Sequence, residues 1–138
     1  MSLAQTAIAY LLAAVVFLGL DAVWLSTMAD RLYRPAIGHL MAERFALAPA
    51  ALFYGLYVAG ILWFAVAPAV ASRRPPAALC AGALLGLLAY ATYDLTNQAT
   101  LKNWPWHLTL ADMAWGAFVT GAAAWAACHG ALWQAARA

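Results

Sequence analysis

Three of the five acidic residues in this 138-residue chain, Asp21, Asp94 and Asp112, stand inside long apolar runs. An aspartate at the centre of a bilayer-spanning helix costs about 2.5–3.5 kcal/mol on insertion scales, and less toward the interface. Carboxylates placed there at such a cost mark ligand, ion or proton sites, or they pin helices together through buried hydrogen bonds. Both roles can hold at once. Close carboxyls titrate as a coupled set, and a proton held within that set suits acid–base work, proton coupling or a neutral hydrogen bond.

Spacing gives these carboxyls company. Asp21-x-x-Trp24 and Asp112-x-x-Trp115 repeat one i, i+3 pattern, and Tyr54-x-x-Tyr57 shares that spacing. Gly82, Gly86, Tyr90, Asp94 and Gln98 recur at i+4. Small residues in a G-x-x-x-G pair let helices approach closely, within a bundle or at a dimer contact, so this stripe is expected to face inward and carry Asp94 with it. Asn97, at i+3 from Asp94, shares its face. The candidate ligand-binding set is therefore Asp21, Trp24, Tyr54, Tyr57, Tyr90, Asp94, Thr96, Asn97, Asp112 and Trp115.

Other chemistry finds little support. His39 and His107 lie near the acidic set, but no H-x-x-H, E-x-x-H or H-x-x-x-H spacing occurs, so no metal site is expected. There is no G-x-S-x-G, and Ser26 and Ser72 lack a local base. No catalytic residue is assigned; were a reaction to follow binding, one aspartate would serve as general base. Cys80 and Cys128 form no C-x-x-C and read as small apolar residues. No cofactor is expected.

The elements that position these residues follow from composition. The chain is 67% hydrophobic and 9% charged, with a net charge of +2 and a mean hydropathy of +0.79. That excludes a water-soluble domain, which needs more charge at its surface, and disorder, which needs less hydrophobicity. The few basic residues are scattered, so nucleic acid is not an expected partner; membrane lipids are. We read one all-α integral membrane domain, a four-helix bundle over residues 1–138. Its spans are expected at about 6–27, 49–70, 77–100 and 108–133. The first run lacks a basic n-region and an A-x-A-like site, so it reads as a span and not as a signal peptide. Ile37, Leu40, Met41 and Phe45 fall at helical spacing, which predicts a short amphipathic interfacial helix at about 36–46, a lid over the site.

In that up-and-down order, spans one and three end, and spans two and four begin, on one side. The three aspartates then share one depth, above an apolar base of Ala, Leu, Val and Gly. Trp104, Trp106 and Trp133 suit the headgroup belt. Loops one and three carry Arg31, Arg34, Arg44 and Lys102; the other side carries Arg73, Arg74 and Arg137. The dense Arg73-Arg74 pair leans the orientation toward cytoplasmic termini.

The run Tyr93-Asp94-Leu95-Thr96-Asn97-Gln98-Ala99-Thr100-Leu101-Lys102-Asn103-Trp104-Pro105-Trp106, continued by Asp112-Met113-Ala114-Trp115-Gly116, resembles the marker stretch of a bacterial family of small four-span membrane proteins of unknown function. Asp21-x-x-Trp24, Tyr33…Gly38-His39, Phe53-Tyr54 and Tyr57-x-x-Gly60 are similar to that family too. The resemblance covers almost the whole chain. It implies a multi-pass protein of the bacterial inner membrane. The family's association with genes of fatty-acyl modification tilts expectation toward a lipid-related role.

Three functions compete at this point. The leading one is a one-sided pocket, lined by carboxylates and aromatic rings, that binds or processes a small amphipathic or lipid-related ligand. A proton-coupled transporter would need a dimer, and its site would lie near the midplane at a repeat interface. A non-catalytic anchor subunit would depend on its loops more than on its aspartates.

Overall fold

A computed structural model describes all 138 residues, and every regular element in it is helical. Four long rods make up the chain: α1 (Leu3–Leu40), α2 (Leu47–Ala71), α3 (Pro75–Thr100) and α4 (Trp106–Ala135). The first three are each long and apolar enough to cross a membrane. At 30 residues, α4 is longer than α3 and packs lengthwise against both α1 and α3.

Neighbouring rods run antiparallel. Near the start of α1, Gln5 donates to the carbonyl of Ala131 near the end of α4 (3.2 Å). Ser2 and Gln5 close a reciprocal cap on the first turn of α1. The inward face of α1 is a four-residue ladder, Ala9, Ala13, Phe17 and Asp21. That of α3 is Ala78, Gly82, Gly86 and Asp94. Two i+4 ladders of mostly small residues let both rods press against α4, whose buried stripe is also small: Gly116, Thr120, Ala123, Ala124, Ala127 and Ala131. A methyl on Gly82 would come 2.7 Å from the Ala124 Cβ, and one on Gly86 would collide with the Gly116 carbonyl oxygen. The only large aromatic ring at the centre is Phe17, which meets Tyr54 and Tyr57 edge-on at 6.0 and 5.3 Å.

Two rods contain π-helical turns, at Ala29–Tyr33 in α1 and Leu62–Val66 in α2. Each lies just ahead of a proline, Pro35 and Pro68. Proline has no N–H to donate and crowds the carbonyl four residues back, at Arg31 and Phe64 respectively, so the helix widens by one residue to pass it. The turn in α2 divides that rod in two. From Ile61 to Val70 it is embedded, with Ile61, Leu62, Ala65, Val66, Ala69 and Val70 buried. Ahead of the turn only Val58 and Ile61 are buried, and the segment from Leu47 stands away from the bundle.

One expectation changes. Residues 36–46 do not form a separate interfacial helix. Helical turns continue from α1 through Leu40, and the chain turns extended at Met41 (φ −76°, ψ 138°). Residues 41–46 are irregular. Ile37 supplies the physical reason: it is buried against Trp104 and Leu108, which ties the end of α1 to the α3–α4 turn. Leu40, Met41 and Phe45 stay exposed and are not gathered on one helical face.

Candidate functional site

The acidic cup lies where α1 and α3 approach their ends and α2 and α4 begin. Asp21 on α1 accepts two hydrogen bonds, from the Tyr54 hydroxyl on α2 (2.8 Å) and the Trp115 indole on α4 (3.1 Å). Asp112 on α4 accepts from the Tyr33 hydroxyl, and Tyr33 in turn accepts from the Trp24 indole (2.8 Å). The two indoles lie face to face with centroids 4.5 Å apart and planes 8° from parallel. Two D-x-x-W pairs on antiparallel helices thus bind crosswise, one link direct and one relayed by Tyr33.

Asp94 differs. It is 0% exposed, and neither of its oxygens meets a hydrogen-bond donor. The Asp112 carboxyl is its acidic neighbour, and two carboxylates have no hydrogen to share. A buried polar group without a partner is rare in native proteins and calls for an explanation. None of the three aspartates is in an ion pair. The one salt bridge, Arg34 to Asp30 at 2.8 Å, is on the exposed outer turn of α1.

The cup has an opening. A cleft of about 290 Å³ between the splayed half of α2 and α3 is lined by Phe53, Ala89, Tyr90, Tyr93 and Asp112. On the other side of α2, a larger apolar groove of about 490 Å³ runs between α1 and α2, past Tyr10, Leu18, Phe45 and Tyr54. Both exist because α2 leaves the bundle ahead of its π-turn. Beyond the packing of Val58, Tyr54 and Tyr57 around Phe17, three hydroxyl tethers hold that half to its neighbours: Tyr54 to Asp21, Tyr57 to Thr120 (2.8 Å), and Tyr10 of α1 to the Gly55 carbonyl (3.1 Å).

Of the residues singled out in the sequence, Asp21, Trp24, Tyr54, Asp112 and Trp115 come together in one hydrogen-bonded and stacked cluster. Asp94 stands behind Asp112, and Tyr90 lines the cleft with its ring seated on Gly116. Tyr57 sits deeper, bonded to Thr120 and stacked on Phe53 (5.2 Å, 16°). Thr96 does not join the cup: its exposed hydroxyl bonds back to the carbonyls of Thr92 and Tyr93. Asn97 is half-buried and makes no side-chain hydrogen bond to the cluster. Tyr33 is the partner that the spacing did not single out for the site. Gln98, the last residue of the i+4 stripe, closes a three-membered ring instead: Gln98 to the Trp104 carbonyl (2.7 Å), Trp104 to Thr109 (3.0 Å), Thr109 to Gln98 (2.8 Å). That ring fixes the α3–α4 turn above the cup. No group of three His, Cys, Asp or Glu residues is arranged to hold a metal ion.

Apolar helices of membrane-crossing length, packed around buried carboxylates, define a multi-pass membrane protein. The family described as "Predicted membrane protein (DUF2177)" matches residues 6–129, and the chain belongs to it. No curated protein and no solved structure matches the chain.

Proposed function

We propose that the acidic cup binds the polar end of a small amphipathic molecule that reaches it sideways from the membrane. The observation that carries this reading is Asp94, fully buried with both oxygens unserved by any donor, behind an Asp112 that lines an open cleft. Asp94 receives no tyrosine or tryptophan donor of the kind that Asp21 receives twice. The apolar flanks of the cleft suit the hydrocarbon part of such a ligand, and the carboxyls suit a donor-bearing head. Asp21, Trp24, Trp115 and Tyr33 then form a rigid floor that keeps the carboxyls in place.

We further read all four rods as spans, with α4 shielded by α1 and α3 and therefore tolerant of its Thr, Gly and Asp residues. On this topology the cup lies under the leaflet that faces the 41–46 and 101–105 connections. The bacterial inner membrane with cytoplasmic termini is the setting we propose.

Native mass spectrometry of the protein extracted with its lipids tests the binding reading. A discrete species is expected on the wild type and is expected to be lost in Asp94→Asn, which preserves side-chain size. Finding nothing bound to the wild type under gentle extraction overturns the reading.

A further inference from the structure

We propose that the cleft beside Asp112 seats an organic ammonium group, with its hydrocarbon substituents directed into the membrane. This rests on the reading of the cup as a binding site and names the chemical class of its ligand. Three aromatic side chains, Phe53, Tyr90 and Tyr93, and one carboxylate, Asp112, line this opening. A ring set around a carboxylate is the chemistry that recognises alkylated ammonium ions: ring faces attract a cation after water is stripped away, and the carboxylate neutralises it.

Charge balance points the same way. Three carboxyls meet in the cup and no Lys or Arg side chain enters it; Arg34 is engaged with Asp30 on the outer surface. An anionic head, such as a fatty-acid carboxylate or a phosphate monoester, would face uncompensated repulsion there. A cation finds an acidic seat already built, and its arrival at Asp112 supplies the charge that the buried carboxyl pair lacks. Phe53 and Tyr93 are each about half exposed, at 48% and 54%, so the opening faces the surroundings of the bundle and not its interior. Tyr93 is braced edge-on by Trp104 at 5.7 Å and Phe53 by its stack on Tyr57, so the rings are held in place before a ligand arrives.

The test uses the full chain in nanodiscs of phosphatidylglycerol, whose headgroup carries no ammonium. Octyltrimethylammonium and its uncharged isostere with a tert-butyl end are titrated in parallel, read by intrinsic tryptophan fluorescence. The charged probe is expected to bind saturably and about tenfold or more tighter than the neutral one. Phe53→Leu and Tyr93→Leu, both at half-exposed positions, are each expected to weaken the charged probe about tenfold while binding of the neutral probe changes little. Asp112→Asn is expected to abolish the preference for charge. Equal affinity for the two probes overturns the ammonium assignment while leaving the cup a binding site; binding of neither overturns both. Repeating the titration in phosphatidylethanolamine nanodiscs identifies the source. Because phosphatidylglycerol alone concentrates a cation at the bilayer, the fall in probe affinity is read against that of the Asp112→Asn protein: a larger fall in the wild type assigns the seat to a lipid headgroup and an equal one to a free cation, and either outcome upholds the ammonium class.

Discussion

Trp24 and Trp115 lie parallel at 4.5 Å, and each indole N–H is directed toward the carboxylate system of the opposite helix: Trp115 to Asp21 directly, Trp24 to Asp112 through the Tyr33 hydroxyl. The stack therefore clamps α1 to α4 while orienting two of the three carboxyls.

Tyr33 is the most exposed point of weakness in that clamp. Tyr33→Phe removes the acceptor of Trp24 and the donor to Asp112 together, leaving the half-buried indole and the buried carboxyl without those bonds. At about 1–3 kcal/mol for each group left without its partner, a loss of about 2–6 kcal/mol is expected. Tyr54→Phe is expected to cost less, about 1 kcal/mol, because Asp21 retains Trp115. Thermal unfolding in a mild detergent, run side by side, checks both the size and the order of the two losses.

The stack should also register as coupling. Trp24→Ala and Trp115→Ala singly, and then together, are expected to give an interaction energy of about 0.5–1.5 kcal/mol beyond the hydrogen bonds. Additive losses would show that the rings merely lie near one another.

Glycines separate by position. Gly86→Ala forces a methyl into the Gly116 carbonyl, and a loss of about 1–3 kcal/mol is expected from overpacking. Gly60→Ala and Gly19→Ala meet nothing within 4 Å; neither is expected to destabilise the fold. Melting curves of the three variants decide this directly.

The Gln98–Trp104–Thr109 ring predicts a local effect. Thr109→Val breaks two of its three bonds, and faster amide exchange across residues 101–106 is expected, with little change around Ala9–Phe17. Hydrogen-exchange mass spectrometry reads this segment by segment.

Topology has its own test. In a cysteine-free background, cysteines placed at Arg44 and Lys102 are expected to label from the same side of the membrane, and one at Arg73 from the opposite side. Labelling of Arg44 and Lys102 from opposite sides would overturn the four-span reading.

Much of this was legible in the sequence because helical periodicity is a strong signal in a chain with so few polar residues. The i+4 stripe through Gly82, Gly86 and Asp94 is a rigid consequence of helix geometry, and it faces inward as its small residues require. The D-x-x-W repeat located two partners of the cup but not their crosswise bonding, which depends on how two antiparallel helices are rotated. Thr96 lies outside the cup because two residues from Asp94 is about 200° around a helix, and its hydroxyl finds a carbonyl of its own turn instead. Tyr33 was missed as a partner of Asp112 because it stands in the most polar stretch of the chain. Its reach to Asp112 exists only because α1 continues past Met28 through a widened turn. The separate helix expected over 36–46 does not form, for a related reason: Ile37 finds Trp104 and Leu108 to pack on, and the residues after Leu40 have no such surface.

The widened turn at Leu62–Val66 also sets the angular phase of everything before it in α2. One residue corresponds to about 100° of rotation. Deleting a single residue there to restore regular α-helix would turn Tyr54 and Tyr57 away from Asp21 and Thr120 and bring Phe53 and Leu56 around toward the bundle. The aromatic content of the segment would be unchanged, yet the Tyr54 hydroxyl would leave Asp21 for the exposed phase now held by Gly55. Pro68, well below the cup and touching none of its residues, thus acts as the index mark that aligns a whole helical face with the carboxyls above.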